Sequence, residues 1–503
     1  MLQSGTGRYV DAILDRVTSS FNRRSRFFVA VFSVLGVALS CCPRAVSSAL
    51  LWLPKKLVAR PRIRLGIANT LFQLDYPAEA LRYLERSSEH ESPSSDETIL
   101  RAMCLYQGLD RFGDAIGTLA EANERRHEEA NRLGLADLPY RVLGRVWASH
   151  IGHTAMLDYV IKLGALEGRS PEDTILYVPR DSRVANRFLL EQIATKLRLV
   201  EDPEDLPFPG SAVQALQFDL LGPRLPDGRT SYYWNAAGET YTRWENEGRP
   251  PLLTLPPETQ ARGWSALHRA GLPQNAWFVA LHVREDMWSG RNPGTHGIRN
   301  GDISSYFPAI AEITRRGGWV IRMGDRSMTP LPQLPNVIDY CHTDLRSDWM
   351  DIFIVACCRF MVATNSGPAF IPLFYGVPSV LTNWWPAGER PWRSTDIFVP
   401  KMLRSLSDGR YLTLSETLRE PVCWSYSRRY LAKRAGVSLA DSEPKMILGA
   451  VEEMLDRLAG KLGPDAELEK LHARTDQIYE SNNISGMAPL ARDFLRCHED
   501  LIS

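Results

Sequence analysis

Three short polar segments contain residue types that bind phosphate. Residues 282–286 (HVRED) place Arg284 beside a histidine and two acids, residues 322–325 (RMGD) hold a second arginine, and residues 364–368 (TNSGP) form a polar turn. A guanidinium can bind a phosphate through two parallel hydrogen bonds and can stabilise a departing diphosphate. Backbone N–H groups at the start of a helix bind anions as well, and Ser366 adds a hydroxyl donor. The three segments together predict an anion site.

Each segment also has a structural alternative. His282 would then be a core histidine at a strand end, Arg284 a surface ion-pair partner, and residues 365–367 a plain helix cap. The combination favours a ligand site, because all three segments follow predicted strands of one sheet. The sequence has no GxxxxGK[ST] or GxGxxG at these turns, which argues against a Walker-type or dinucleotide site.

The segments are positioned by apolar runs that alternate with helical patterns from about residue 170 onward. Strands are predicted at 174–178, 277–283, 319–323, 360–363 and 378–381, and helices at 184–199, 303–315, 349–357, 369–375 and 445–458. Strand–helix–strand order predicts a right-handed parallel sheet with helices on both faces. Ligands of such sheets bind beyond the carboxyl ends of the strands, where the polar segments lie.

Residues 170–500 resemble bacterial glycosyltransferases from surface-polysaccharide loci, several of which have tetratricopeptide-like N-termini. The matching stretches are FVALHVRED, IRNGDISSYFPAI, VIRMGD, VIDYC, TNSGPAFIPLFYGVP and SEPKMILGAVEEMLDR. HVRED is also distantly similar to the HxRxGD motif of GT-B fucosyltransferases, whose arginine holds the β-phosphate of the nucleotide sugar. TNSGP followed by YGVPSVLTN resembles the donor-phosphate loop of heptosyltransferase-type GT-B enzymes.

The resemblance implies an α/β protein of GT-B type, with two Rossmann-like domains facing a cleft behind an α-helical N-terminal region. The predicted divisions are 1–62 (basic, apolar, membrane-associating), 63–165 (helical, tetratricopeptide-like), 166–275 (acceptor domain), 276–440 (nucleotide-sugar donor domain) and 441–503 (helical tail). The implied activity moves a sugar from a nucleotide-diphosphate sugar to a cell-surface glycan or glycolipid.

The site residues predicted from the motifs and the resemblance fall into three groups. They are Arg284, Asp286 and His282 as catalytic residues; Arg322, Gly324, Asp325, Asn365, Ser366 and Gly367 as donor-binding residues; and Asn186, Arg299 and Asn300 on the acceptor side. No DxD-type triad occurs, and we predict no metal and no cofactor beyond the nucleotide sugar as co-substrate. An inverting reaction also needs a base, for which Asp286, Glu285 and Asp302 are alternatives.

The N-terminal segment has an unusual charge distribution. Lys+Arg and Asp+Glu both total 59, yet residues 1–64 hold eleven Lys or Arg against two Asp, and residues 27–42 are sixteen residues without a charge. A spanning helix needs about 20 apolar residues, and a signal peptide has a shorter basic region. A buried core helix and an anchor lying on the membrane surface are two more interpretations of this segment. We predict the surface anchor, with the protein on the cytoplasmic face of the inner membrane.

A repeat of 35 residues follows, in which residues 74–84 (LDYPAEALRYL) match residues 109–119 (LDRFGDAIGTL). This period is close to that of tetratricopeptide repeats. The repeats predict either a surface for a protein partner or a helical collar packed on the next domain. A non-catalytic adaptor of this type, with a degenerate α/β domain, is the alternative to the enzyme.

Composition excludes other classes. The zero net charge argues against nucleic-acid binding, which favours a basic excess. Eight cysteines without CxxC or Cys/His ligand spacing argue against a disulfide scaffold or a zinc finger, and reduced thiols in a cytoplasm are expected.

Overall fold

A computed structural model describes residues 61–73, 76–85, 95–285 and 297–502. The α-helices, in chain order, are α1 (Pro61–Gln73), α2 (Pro77–Leu84), α3 (Ser95–Met103), α4 (Phe112–Arg132), α5 (Ile151–Leu166), α6 (Arg187–Ile193), α7 (Tyr233–Asn246), α8 (Pro257–Arg269), α9 (Phe307–Arg315), α10 (Asp348–Cys357), α11 (Pro372–Tyr375), α12 (Leu414–Thr417), α13 (Arg428–Lys433), α14 (Pro444–Leu458), α15 (Ala466–Ser481) and α16 (Arg492–Cys497). The strands are β1 (Arg141–Leu143), β2 (Thr174–Tyr177), β3 (Arg198–Val200), β4 (Phe278–His282), β5 (Trp319–Arg322), β6 (Val337–Ile338), β7 (Met361–Ala363), β8 (Ser379–Trp384), β9 (Ile397–Pro400), β10 (Met402–Ser405) and β11 (Val437–Ala440).

The larger sheet has six parallel strands in the order β6-β5-β4-β7-β8-β9. The chain enters at β4, builds outward through β5 and β6, and then returns to the other side of β4 with β7. The strand order therefore reverses between β4 and β7, and this reversal is where open α/β sheets bind ligands. We call the carboxyl ends of β4 and β7 the switch point.

The smaller sheet is parallel as well, with the order β1-β2-β3. With this sheet, the predicted α/β fold with two Rossmann-like parallel sheets is confirmed. Its first strand, β1, lies inside the segment that the sequence assigned to the helical region. A strand of three residues is too short to produce a period-2 pattern, which explains why the sequence did not indicate it.

The helical region consists of two helix pairs, α1 with α2 and α3 with α4. The second helices begin at Pro77 and Phe112, which are 35 residues apart, as the repeat spacing requires. The matching residues Ala80 and Ala115 are both buried. Small side chains at these positions let the paired helices approach closely.

This helical region packs on the α/β part of the molecule. The Phe112 ring stacks on Trp424 with ring centroids 4.6 Å apart. From α4, Asn123 Nδ2 donates to Gly222 O at 2.8 Å, and Arg126 forms a 2.8 Å ion pair with Asp219. The packing is that of a collar, one of the two alternatives drawn from the repeat.

The C-terminal tail connects both halves of the α/β part. Helix α14 begins at Pro444 and packs on α9, β8 and β9 of the larger sheet. Asn235 Nδ2 of α7 donates to Asn483 O at 3.1 Å, and Arg390 Nη2 forms a 2.6 Å ion pair with Asp476 of α15. The tail thus lies against elements that precede the larger sheet as well as against the sheet itself.

The predicted membrane-associating segment, residues 1–62, lies almost entirely outside the described residues, and its apolar run at 27–42 lies wholly outside them. Within the described part of the chain, no helix combines the length and apolar character needed to cross a membrane.

Candidate functional site

The switch point is held together by hydrogen bonds between the residues that follow β4 and β7. Arg284 N donates to Thr364 Oγ1 at 3.0 Å, and Thr364 N donates to His282 O at 3.1 Å. A third segment joins them, because Gly301 N donates to Arg284 O at 3.0 Å. Arg284 follows the end of its strand and is 7% exposed, so this residue lies inside the molecule and not on its outer surface.

His282, the last residue of β4, is a neutral imidazole at neutral pH. Burial lowers its pKa to about 4, and the cationic Arg284 and Arg322 act in the same direction. Its Nδ1 atom is buried and has no hydrogen-bond partner. A buried polar atom without a partner costs free energy unless a ligand or a water satisfies it.

The 364–368 turn contains one fixed and one unpartnered polar side chain. Asn365 Nδ2 donates to Trp385 O at 2.9 Å and to Glu389 Oε2 at 3.1 Å. Both N–H donors of this side chain are therefore used within the protein. Ser366 is 6% exposed, and its hydroxyl oxygen has no hydrogen-bond partner. The third residue, Gly367, begins a short 3-10 helix. Of the three predicted donor-binding residues of the turn, Ser366 is therefore the one with an available side chain.

The turn also lies against the start of α5, in the first half of the α/β part. A Cβ atom at Gly367 would be 2.7 Å from the backbone nitrogen of Gly152, the second residue of α5. Only two glycines allow the backbones to approach this closely. Because the N-terminus of a helix carries a partial positive charge, this contact adds positive potential beside the turn.

A buried acid, Glu389, holds the 364–368 turn through its hydrogen bond with Asn365. Glu389 is 1% exposed, and its Oε1 accepts hydrogen bonds from Tyr232 Oη at 2.9 Å and Tyr426 Oη at 2.6 Å. Its Oε2 accepts the Asn365 amide. Burial raises the pKa of Glu389, and the hydrogen bonds from Tyr426, Tyr232 and Asn365 oppose that shift. The Glu389 cluster (Glu389, Tyr232, Tyr426 and Asn365) was not predicted from the sequence.

Arg322, a predicted donor-binding residue, is fully buried at the end of β5. It donates to Glu285 Oε1 at 2.6 Å, Asp339 Oδ1 at 3.1 Å and Thr329 O at 2.9 Å. Glu285 in turn accepts from Thr329 N at 2.8 Å. These contacts join the ends of β4 and β5, and they place Arg322 and Glu285 as supports of the site.

The turn after β5 depends on its glycine. Gly324 has a φ of 151°, and a Cβ atom there would lie 2.1 Å from Met328 Sδ. Asp325 Oδ1 accepts the backbone N–H of Ser327 at 2.7 Å and closes the turn. The predicted donor-binding pair Gly324 and Asp325 thus shapes the loop beside the switch point.

The three predicted acceptor-side residues have different surroundings. Asn186 Oδ1 caps α6 by accepting Leu189 N at 2.8 Å, and its Nδ2 donates to Asp348 O at 3.0 Å. Arg299 lies with its guanidinium carbon 5.6 Å from the centre of the Tyr426 ring, which brings it to the Glu389 cluster. The backbone oxygen of Asn300 accepts Lys401 Nζ at 2.7 Å.

The candidate bases also differ in availability. Asp302 is exposed, and hydrogen bonds from Ser304 lower its pKa, which makes it a weak base. Glu285 is committed to Arg322 and to Thr329 N. Asp286 lies outside the described residues.

One group of side chains in the described part of the chain has the spacing of metal ligands. Ligand atoms of Asp339, Cys341 and His342 lie within 4.8 Å of one another. Arg322 donates to both Asp339 Oδ1 and Cys341 Sγ, the latter at 3.2 Å, so a guanidinium already supplies positive charge there. Burial also raises the pKa of Cys341 to about 12, which keeps it a thiol. These three residues therefore fit an arginine site better than a metal site.

No family model and no curated protein matches this chain. Similar solved structures include a family 9 glycosyl transferase from Veillonella parvula, with 12% identity and a TM-score of 0.32 over 52% of this chain and 87% of that chain. Another is the iron-containing dodecameric glycosyltransferase TibC from enterotoxigenic E. coli (12% identity, TM-score 0.35, 65% of this chain and 77% of that chain). A third is the E. coli ADP-heptose lps heptosyltransferase II (11% identity, TM-score 0.32, 63% of this chain and 98% of that chain).

Proposed function

We propose that this protein is a glycosyltransferase that moves a sugar from a nucleotide-diphosphate sugar to a cell-surface glycan or glycolipid. The observation that carries the proposal is the switch point itself. There, the buried Arg284 follows β4, and the 364–368 turn with its unpartnered Ser366 hydroxyl follows β7, the neighbouring strand in the sheet. Donor groups concentrated at this position of an α/β sheet are suited to bind a diphosphate.

The same groups would act on the reaction. Cleavage of the sugar–phosphate bond builds negative charge on the diphosphate, and Arg284, the Ser366 hydroxyl and the N-terminus of α5 are sources of opposing positive charge. Preorganised donors of this kind stabilise the transition state more than the ground state. We propose that these groups, without a metal, neutralise the leaving group. His282 would remain neutral and offer a hydrogen bond through Nδ1.

Deprotonation of the acceptor hydroxyl needs a base, and among the alternatives Glu285 is paired and Asp302 has a lowered pKa. Of the three alternatives, we propose Asp286 as the base.

We further propose that residues 1–62 hold the enzyme on the cytoplasmic face of the membrane. Deleting residues 1–60 should release it from membrane fractions, and a truncated protein that still pellets with membranes would contradict the anchor.

The adaptor alternative explains the site less well. An adaptor does not need unpartnered polar atoms inside its α/β half, and each such atom costs about 1–3 kcal/mol when buried. Both His282 Nδ1 and Ser366 Oγ are of this kind. Other described residues also have buried polar atoms without a partner, but these two follow neighbouring strands at the switch point. A ligand bound there would supply both partners, and this favours the enzyme.

The proposal is tested by thermal unfolding with a panel of nucleoside diphosphates (UDP, GDP, ADP and dTDP) in the presence of EDTA. A binding nucleotide should raise the melting temperature. Ser366→Ala should reduce the affinity about three- to tenfold, because one neutral hydrogen bond is lost while backbone donors remain. Ser379→Ala, which removes another buried unpartnered hydroxyl, is the matched control. Stabilisation by none of the nucleotides would contradict the proposal.

A further inference from the structure

We propose that Arg299 binds the diphosphate of the nucleotide sugar together with Arg284, and that it does not belong to the acceptor side. This inference rests on the proposed function and names a further residue of the same site. Of the arginines near the switch point, Arg322 already forms ion pairs with Glu285 and Asp339. Arg299 has no such ion pair among the described residues, and its Nε atom is buried without a hydrogen-bond partner.

The segment that carries Arg299 is anchored at the switch point. Gly301, two residues further on, donates its backbone N–H to Arg284 O at 3.0 Å. A Cβ atom at Gly301 would lie 3.3 Å from both Thr364 Cγ2 and Val283 Cγ1, so the backbone runs closely over the two strand ends. The position of Arg299 is therefore tied to the residues that follow β4 and β7.

Arg299 lies beside an aromatic ring and close enough to the buried Glu389 to lower the pKa of that acid, but it forms no direct ion pair with it. Its guanidinium carbon is 5.6 Å from the centre of the Tyr426 ring, a distance at which a cation–π interaction contributes. The nearby Glu389 does not hydrogen-bond to it, because the Glu389 oxygens accept from Tyr232, Tyr426 and Asn365. None of the described carboxylates forms an ion pair with Arg299. Its remaining N–H donors suit an anionic ligand.

A diphosphate is the anion that fits this arrangement. It carries several negative oxygens, and two arginines can divide them, each as a planar fork. Ser366, next to Asn365 in the turn, has a buried and unpartnered hydroxyl and provides a second, independent indication of a ligand. Because Asn365 links the turn to Glu389 and Arg299 lies over Tyr426 of the same cluster, both sets of donors belong to one site.

The inference is tested by calorimetric titration of the full chain with the nucleoside diphosphate that stabilises it and with the matching nucleoside. Arg299→Met should weaken binding of the diphosphate about 10- to 100-fold, since charge-assisted hydrogen bonds are lost, and should leave binding of the nucleoside unchanged. Arg299→Lys should lie between, because lysine keeps the charge and loses the fork. Circular dichroism spectra show whether each variant is folded.

Arg359 provides a matched control. Its guanidinium also lies over an aromatic ring, 4.6 Å from the centre of Trp277. Arg359, however, precedes β7 and therefore lies at the amino ends of the strands, away from the switch point at their carboxyl ends. Arg359→Met should bind the diphosphate as the wild type does. Wild-type affinity in Arg299→Met, or an equal loss for diphosphate and nucleoside, would overturn the inference while the proposed function stands. A wild-type protein that binds neither compound would overturn both.

Discussion

Gly367→Ala should break the contact between the 364–368 turn and the start of α5. The new Cβ atom would lie 2.7 Å from Gly152 N, 2.7 Å from Ile151 Cγ2 and 3.1 Å from Gly152 Cα. Non-bonded carbon atoms prefer separations of about 3.5–4.0 Å. Two of the three contacts are to backbone atoms, which cannot move away by a change of rotamer. We therefore expect a loss at the upper end of the range for overpacking, about 2–3 kcal/mol.

The measurement is urea unfolding followed by tryptophan fluorescence, combined with the affinity for the stabilising nucleotide. Gly117→Ala is the matched control, because Gly117 lies within α4 and a Cβ atom there meets nothing within 4 Å. Alanine in a helix is favoured over glycine by about 0.5–1 kcal/mol, so this variant should be stabilised. Gly367→Ala should lose both stability and nucleotide affinity. Unchanged stability in Gly367→Ala, or the same loss in both variants, would refute the packing argument.

Two further predictions concern the end of β4. Because the pKa of His282 is about 4 in the folded protein and about 6.5 in an unfolded chain, the unfolded state binds more protons between these values. The free energy of unfolding should fall by about 3 kcal/mol as the pH is lowered from 6.5 to 4. Urea unfolding at a series of pH values measures this loss. A His282→Asn variant that loses as much stability over the same pH range would contradict the prediction. Arg284→Lys keeps the charge but loses the fork, so turnover should fall about 10²–10³-fold while nucleotide affinity falls less. A steady-state assay that gives normal turnover would remove Arg284 from the mechanism.

The elements that position the site could be predicted from the sequence, because they are long apolar runs or strongly periodic helices. The run at 277–283 became β4 (Phe278–His282), and the helix predicted at 445–458 became α14 (Pro444–Leu458). The short strands β1, β3 and β6 were missed, whereas β7 (Met361–Ala363) was predicted from its apolar run at 360–363. The missed strands contain too few residues for a period and are defined only by their neighbours in the sheet.

The polar segments were found for a similar reason, since each follows a predicted strand. The hydrogen bonds and ion pairs between these segments could not be predicted, because they depend on which strand ends are adjacent in the sheet. Arg322 is predicted to bind the donor, but its pairing with Glu285 could not be predicted: the register that places Leu281 beside Arg322 brings Glu285 Oε1 to 2.6 Å from Arg322 Nη2. The Glu389 cluster draws residues from positions 232, 365, 389 and 426. No local pattern in a sequence links residues so far apart.

The central claim is that a nucleoside diphosphate binds at the switch point. Hydrogen exchange measured by mass spectrometry, with and without the stabilising nucleotide, tests it most directly. We expect protection to increase in peptides covering residues 282–285, 297–301 and 364–370. Exchange in β1 and α4 should remain unchanged. Protection confined to other parts of the chain, with no change at these three segments, would contradict binding at the switch point.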